Sequence, residues 1–192
     1  MILYCLIAIN RNIFMKMKRS LHFIIGLFLS FVQIACSQSS KTTKLVEDEN
    51  FDKRISTLLN FTVPVIGVEE LANIKNEVII FDAREFREYK ISHIEDAKYI
   101  GYKKFDANQL KGIPKDQKIV LYCSIGYRSE KIGERIKQLG FTEVYNLYGS
   151  IFEWANKGYQ LVDINNKPVK SIHTYNALWS KWVNNTQLEK VW

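Results

Sequence analysis

The sequence is poor in glycine and proline. Its 192 residues include nine glycines and three prolines, too few for a collagen-like repeat or a low-complexity linker protein. Hydrophobic residues make up 47% of the chain and charged residues 24%. That composition is ordinary for a globular protein, and it excludes disorder throughout and a membrane protein with many spans. The length is that of one domain with a short appendage.

The chain also lacks a strongly basic surface outside its N-terminus. Of its 27 basic residues, four lie in residues 1–35, which contain no acidic residue. The rest of the chain therefore carries +3 of the total net charge of +7. So mild and scattered a charge does not predict a nucleic-acid partner.

Residues 1–35 are predicted to be a signal peptide. A basic run at residues 16–19 is followed by an apolar stretch of 15 residues, 21–35, and this layout is typical of a secretory signal. The stretch is shorter than the roughly 20 residues of a membrane-spanning helix. Retention as an anchor helix is the alternative.

The end of this segment resembles the lipobox of bacterial lipoproteins. Ala35 precedes Cys36, and a polar run follows from Ser37. The resemblance implies cleavage before Cys36, lipidation of that cysteine and anchoring in the cell envelope facing the periplasm, with membrane contact only through the lipid. Ordinary cleavage after Ser37 is the alternative, and it would give a soluble periplasmic protein.

Beyond the signal, short apolar runs alternate with helical patterns. Strands are predicted near residues 63–66, 78–81, 98–100, 118–122 and 143–147, and helices or helical turns near residues 68–74, 85–89, 105–110, 129–139 and 151–156. Pro64 places the first strand at an edge. This alternation predicts an α/β fold, in which helices cover both faces of a parallel sheet. Ligands of such sheets bind beyond the carboxyl ends of the strands.

Flanking segments complete the organisation. Residues 36–60 are predicted to be a tether and an N-terminal helix, residues 61–163 the domain, and residues 164–192 a C-terminal extension. We expect the extension to be helical and packed on the domain, because apolar and aromatic residues recur in it at helical spacing. These residues are Tyr175, Leu178, Trp179, Trp182 and Val183.

Cys123 is the candidate nucleophile. Cys5 lies in the signal and Cys36 would be lipidated or removed, so Cys123 is the remaining thiol. It directly follows a predicted strand and precedes a helix, where backbone N–H groups and the helix dipole lower a thiol pKa. Gly126 permits an unusual backbone angle and Arg128 adds positive charge. A buried structural cysteine is the alternative for a lone thiol.

The loop from Cys123 to Ser129 reads C-x-x-G-x-R-S. Together with the segments at residues 81–94 and 143–154, it resembles the rhodanese-like family over residues 62–162. The resemblance implies a doubly wound parallel sheet of about five strands. It also implies sulfur transfer without a metal or an organic cofactor: Cys123 takes a sulfane sulfur from a small donor anion such as thiosulfate and passes it to cyanide or another thiophilic acceptor. The persulfide cradle would be formed by the N–H groups of Ser124, Ile125, Gly126, Tyr127, Arg128 and Ser129.

Loop length separates sulfur chemistry from phosphate chemistry. Four residues lie between Cys123 and Arg128, whereas the related phosphatases have one residue more. The shorter loop favours sulfur transfer. A rival of another class is a persulfide carrier or partner-binding module with little turnover, in which a protein thiol is the acceptor.

Other residues near the loop have two interpretations each. Asp82 and Arg84 either orient the loop and attract an anionic donor, or form a structural ion pair, which is the favoured interpretation. Ser129 is predicted to cap the helix after the loop. The side chains of Ile125 and Tyr127 are expected to point outward and border the pocket. His93 is expected to be structural rather than catalytic.

Overall fold

The computed structural model describes residues 44–192, which form one unit, Lys44–Trp192. The predicted signal peptide, its cleavage site and Cys36 lie outside these residues. Within the described part, no helix combines the length and apolarity needed to cross a membrane.

Five parallel strands make the central sheet: Val65–Ile66 (β1), Ile79–Asp82 (β2), Lys98–Tyr99 (β4), Ile119–Tyr122 (β5) and Val144–Leu147 (β6). Their order across the sheet is β1-β6-β5-β2-β4. The edge position predicted for the first strand is confirmed, as is the parallel α/β architecture. Strand β5, which leads to Cys123, is the middle strand of this sheet. A ligand site beyond its carboxyl end therefore has a neighbouring strand on each side.

Helices and turns connect the strands. The α-helices are Glu49–Ser56 (α1), Val68–Ile74 (α2), Phe86–Ile91 (α3), Tyr127–Gln138 (α4), Ser150–Asn156 (α5) and Ala177–Ser180 (α6), with 3-10 turns at Lys75–Glu77 and Ala107–Leu110. Small strands outside the main sheet are His93–Ile94 (β3), Leu161–Val162 (β7), Pro168–Val169 (β8), Ser171–His173 (β9) and Glu189–Val191 (β10). Strands β3, β7 and β8 form an antiparallel sheet, and β9 pairs with β10 in parallel.

The sheet is buried on both faces. Along β5, Val120 and Tyr122 join one apolar cluster, whereas Ile119 and Leu121 join the other. This alternation follows from the two-residue repeat of a strand. The sequence shows a continuous apolar run here because helices cover both faces, so no position of the strand meets water.

Helix α4 packs closely against the chain that enters β1. A Cβ atom on Gly133 would lie 2.9 Å from a methyl group of Val63, so only glycine fits at this position without a shift of the neighbour. The close approach brings α4 against the sheet, with Ile132 and Ile136 in the core. The amino end of the helix is thereby fixed beside the end of β5.

The extension differs from the helix predicted around residues 175–183. Only the single turn α6 is helical, and β9 and β10 occupy much of the remainder. Asn176 caps the turn by accepting the N–H of Trp179, and pairing of β10 with β9 takes the backbone away from a helix. The extension contacts the rest of the described chain: Val183 is buried, and Trp182 stacks on Phe51 at 5.4 Å between ring centroids.

Candidate active site

Cys123 lies at the floor of a cleft, directly after β5. Its side chain is 1% exposed, and within the described residues it is the free cysteine. The cleft has a volume of about 580 Å³. It opens between the loop from Cys123 to Ser129 (the nucleophile loop), the amino end of α3 and the extension. A thiol so placed is accessible only to a group that enters the cleft.

The loop directs N–H groups toward the sulfur. The N–H of Gly126 donates to Sγ of Cys123 at 3.2 Å. Gly126 has φ = 118°, a backbone angle that side chains disfavour. It also directly precedes α4, so the positive end of the helix dipole faces the thiol.

The pKa of Cys123 is lowered by its surroundings. Burial alone would raise it. The positive charge of Arg128 and the N–H groups of Ser129, Ile125 and Gly126 outweigh burial, and the pKa falls below its ordinary value. More of the thiol is therefore present as thiolate at neutral pH, which is the form that attacks a sulfur centre.

Asn146 and Ser129 hold the turn of the loop from behind. The carbonyl of Gly126 accepts from Nδ2 of Asn146 at 3.0 Å and from the hydroxyl of Ser129 at 3.0 Å. The same hydroxyl lies 2.6 Å from Oδ1 of Asn146, so its one proton is shared between these two acceptors. The prediction that Ser129 caps α4 is wrong, because the helix begins two residues earlier, with Gly126 at the cap position. Its buried hydroxyl ties the turn of the loop to β6 instead.

Helix α5 holds the start of the loop. The N–H groups of Ile151 and Phe152 donate to the carbonyls of Cys123 and Ser124, both at 3.3 Å. The N–H of Cys123 donates to the hydroxyl of Ser150 at 3.2 Å. Ser150 adopts φ = 52°, so a serine here accepts some backbone strain and supplies an acceptor that glycine would lack.

Arg128 is held by a partner that the sequence analysis did not select. Its guanidinium donates to both carboxylate oxygens of Glu88, at 2.6 and 2.9 Å, and to the hydroxyl of Ser124 at 2.9 Å. The side chain of Glu88 is fully buried. Arg128 lowers the pKa of Glu88 to about 2, against the effect of burial. The positive charge beside Cys123 is thus fixed in place and neutralised on its far side.

Nothing in the local sequence links these two residues, which are 40 positions apart. Glu88 lies in helix α3 and Arg128 at the start of α4. Each helix follows a strand of the same parallel pair, so the topology brings their amino ends to one edge. Glu88 could have been found by asking which carboxylate near the end of β2 faces the arginine after β5.

Asp82 and Arg84 form a closed pair. Oδ2 of Asp82 accepts from Arg84 at 2.7 Å, and the same guanidinium donates to the carbonyl of Ser92 at 2.5 Å. Both side chains are fully buried. The hydrogen bonds of the Arg84 side chain go to these two residues, and its buried Nη1 has no partner among the described residues. None of them reaches the Cys123 loop, as the structural interpretation expects.

The remaining predicted residues divide between cleft and core. Ile125 and Tyr127 both line the cleft. Tyr127 is 43% exposed, but Ile125 is 6% exposed and packs in the core, so the expectation that both point outward is wrong for Ile125. His93 is buried, stacks on Tyr89 with 3.9 Å between ring centroids and bonds the Tyr89 carbonyl.

Comparison with known proteins shows what this part of the chain is similar to. The profile described as the rhodanese-like domain matches residues 68–157. Curated proteins named tRNA uridine(34) hydroxylase, from Cronobacter sakazakii and Escherichia coli, are 35% identical over 86 residues. These matches cover 42% of this chain and 25% of each relative. The chain therefore spans about a quarter of the length of these relatives.

A solved structure agrees in fold. The crystal structure of thiosulfate sulfurtransferase from Pseudomonas aeruginosa superposes with a TM-score of 0.50 at 19% identity, covering 59% of this chain and 22% of that one. This likeness concerns the fold alone. The part of the chain that matches the rhodanese-like domain, residues 68–157, holds the Cys123 loop and four of the five central strands.

Proposed function

We propose that this protein is a sulfurtransferase in which Cys123 carries the transferred sulfur as a persulfide. The observation that carries the proposal is the contact between Sγ of Cys123 and the N–H of Gly126, in a loop with four residues between Cys123 and Arg128. Such a loop favours a sulfur anion attached to Cys123, because its donors face the sulfur.

The reaction proceeds in two transfers. The Cys123 thiolate attacks the outer sulfur of a donor such as thiosulfate; a new S–S bond forms, and the donor's S–S bond breaks with its electron pair leaving on sulfite. The carbon of cyanide, or the sulfur of a thiol, then attacks the outer sulfur of the persulfide. That step breaks the persulfide bond and returns the electron pair to Cys123 as thiolate.

A mass measurement tests the proposal. The purified protein is incubated with thiosulfate and its intact mass recorded, beside Cys123→Ser. We expect a gain of one sulfur atom that is absent in the variant and removed by cyanide with release of thiocyanate. No gain, in a folded protein with a free thiol, would contradict the thiosulfate reaction.

Persulfide carriage with little turnover is the second candidate. The burial of Cys123 at the floor of the cleft supports it, because an acceptor must reach deep to discharge the sulfur. A single burst of thiocyanate equal to the amount of protein, without further turnover, would favour a carrier with a protein thiol as its acceptor. The curated relatives named for a tRNA activity share about a quarter of their length with this chain.

We also propose export, with the protein anchored through a lipid on Cys36 and the domain facing the periplasm. The proposal rests on the basic and apolar segments of residues 1–35 and on Ala35 before the cysteine. Labelled fatty acid should be incorporated by the natural protein and lost in Cys36→Ala. Retention of label in that variant would contradict it.

A further inference from the structure

Part of the cleft is built by residues outside the rhodanese-like match. Tyr175, Asn176 and Trp179 of the extension line the cleft together with Cys123, and they form one of its walls. The match covers residues 68–157, so the wall from Tyr175 to Trp179 lies beyond it. The wall is therefore a feature of this chain and not of the part that matches the family.

Tyr175 has a backbone conformation that large side chains disfavour. Its φ is 69°, in the left-handed region, which costs free energy in residues other than glycine. The N–H of Tyr175 donates to Nδ1 of His173 at 3.0 Å. The N–H and the hydroxyl of Thr174 both donate to the carbonyl of Val191 in strand β10. Strand pairing and the imidazole thus hold Tyr175 in a strained angle, and residues held in this way cluster at functional sites.

This angle places the ring of Tyr175 against Arg128. The guanidinium of Arg128 lies over the ring, 5.2 Å from its centroid, within the range of a cation–π contact. Glu88 and Ser124 accept hydrogen bonds from the same guanidinium. The ring therefore covers a face of a planar group whose edge is already bonded, and 12% of the Arg128 side chain remains exposed. The contacts together keep the positive charge beside the nucleophile loop.

His173 leaves the carboxylate of Glu88 to Arg128. Because Nδ1 of His173 accepts the N–H of Tyr175, the proton of the neutral ring is on Nε2. Burial and the neighbouring arginines lower the pKa of His173 against the effect of Glu88, so the ring is neutral near pH 7. Its Nδ1 lies 4.0 Å from Oε1 of Glu88, which is too far for a hydrogen bond. The imidazole thus fixes Tyr175 without competing for Glu88.

We infer that Tyr175 and His173 are positioning residues of the active site, which hold the Arg128 guanidinium beside the nucleophile loop. The inference rests on the proposed role of Cys123 as nucleophile and assigns part of that site to the extension. Both residues act through Arg128, whose charge lowers the pKa of Cys123. Without the ring, water reaches more of the guanidinium and screens its charge, so less of Cys123 is thiolate at neutral pH.

The pH profile of alkylation at Cys123 tests the inference. Iodoacetamide reacts with the full chain at a series of pH values, and mass spectrometry follows the peptide that contains Cys123. The plateau rate at high pH reports access to the thiol, whereas the midpoint of the profile reports its pKa. In Tyr175→Ala we expect the midpoint to move to higher pH, and the rate near pH 7, relative to the plateau, to fall about threefold. Tyr175→Phe keeps the ring and should retain a profile close to that of the natural protein.

A double variant tests whether Tyr175 acts through Arg128. In an Arg128→Met background, Tyr175→Ala should move the midpoint no further, because the group through which it acts is gone. The same shift in both backgrounds would overturn the inference, as would an unchanged midpoint in Tyr175→Ala alone. Leu178→Ala is the control, since Leu178 is 80% exposed in α6 and does not line the cleft. An equal shift in that variant would assign the effect to a loosened extension and would also overturn the inference.

Two variants of His173 test its bond to Tyr175. His173→Asn keeps a hydrogen-bond acceptor at about the position of Nδ1, whereas His173→Leu removes it. We expect the midpoint of His173→Asn to lie close to that of the natural protein, and the midpoint of His173→Leu to move as it does in Tyr175→Ala. Equal midpoints in the two variants would overturn the role of His173.

The outcome is independent of sulfur transfer, because alkylation needs no sulfur donor. A shifted midpoint in Tyr175→Ala, with no persulfide formed from thiosulfate by the natural protein, would retain the positioning role and reject the thiosulfate reaction. Persulfide formation by the natural protein, with an unchanged midpoint in Tyr175→Ala, would do the reverse.

Discussion

Two buried arginine–carboxylate pairs in this protein have similar chemistry and different surroundings. Arg84 pairs with Asp82 and lies over the ring of Tyr122, 5.8 Å from its centroid. Arg128 pairs with Glu88 and lies over the ring of Tyr175, at 5.2 Å. Each therefore consists of a carboxylate, a guanidinium and a tyrosine ring. The first pair lies at the end of strand β2, and the second joins helix α3 to the start of helix α4.

The difference lies in what each guanidinium reaches beyond its carboxylate. Arg84 donates to the carbonyl of Ser92 and is fully buried. Arg128 donates to Ser124 of the nucleophile loop, keeps 12% of its side chain exposed and lowers the pKa of Cys123. Of the two ion pairs, only the one whose positive charge acts on the thiol bears on the chemistry, and the other serves the packing of the domain.

The largest expected effect is on the free energy of unfolding, and it concerns the pair of Asp82 and Arg84. Asp82→Asn keeps the shape of the side chain but leaves the Arg84 charge buried without a counter-ion. We expect a loss of about 3–5 kcal/mol in the free energy of unfolding, since an uncompensated buried charge is costly. Urea unfolding followed by circular dichroism measures it.

The matched control is Asp106→Asn. Asp106 is exposed and caps a 3-10 turn by accepting from the N–H of Asn108, a role in which asparagine serves equally well. We expect a change below about 0.5 kcal/mol. A loss below about 1 kcal/mol in Asp82→Asn would show that the closed pair contributes little, and the contrast between the two pairs would fail.

The second pair should be visible in the dependence of stability on pH. The pKa of Glu88 is lowered from 4.5 to about 2 in the folded protein. Between these values the folded state binds fewer protons than the unfolded chain, so stability rises with pH. The contribution is fully present above pH about 4.5 and is lost as the pH falls toward 2. The free energy of unfolding falls as the pH is lowered from about 4.5 to 2. From this pKa shift we expect that fall to be smaller by about 3 kcal/mol in Glu88→Gln than in the natural protein.

Unfolding by urea at several pH values between 2 and 6 checks this expectation. Glu134→Gln is the control, because Glu134 pairs with Lys131 at 2.7 Å on the surface, with both side chains about a quarter exposed. An exposed pair contributes less than about 1 kcal/mol. If both variants reduce the dependence of unfolding free energy on pH by the same amount, the burial of Glu88 does not cause that dependence.

The sequence predicted those parts of the site that depend on residues close together in the chain. Cys123 at the end of β5 follows from a continuous apolar run and the loop after it, and the closed pair follows from two residues two positions apart. The Glu88–Arg128 pair joins residues 40 positions apart, so it depends on which strands are neighbours. The wall from Tyr175 to Trp179 was missed for another reason: aromatic spacing predicts a helix, whereas strand pairing by β9 and β10 decides the backbone.

The smallest expected effect is on the reactivity of the thiol, and it is measured on variants that circular dichroism shows to be folded, because removal of Arg128 leaves the buried Glu88 without its partner. Arg128→Met retains much of the apolar length of the side chain and removes the charge that lowers the pKa of Cys123. We expect that pKa to rise, and alkylation by iodoacetamide near pH 7 to slow by about tenfold, since the thiolate is the reactive form. The pH profile of alkylation should move to higher pH.

Two further variants decide whether Arg128 acts through its charge. Arg135→Met removes the same charge from an exposed position on the same helix, and we expect its pH profile to match that of the natural protein. Arg128→Lys restores a point charge without the two-pronged bond to Glu88, so its profile should lie between those of Arg128→Met and the natural protein. If Arg128→Lys behaves as Arg128→Met does, the geometry held by Glu88 matters more than the charge. If Arg128→Met leaves the profile unchanged, the N–H groups of the loop alone lower the pKa of Cys123, and the second ion pair is as structural as the first.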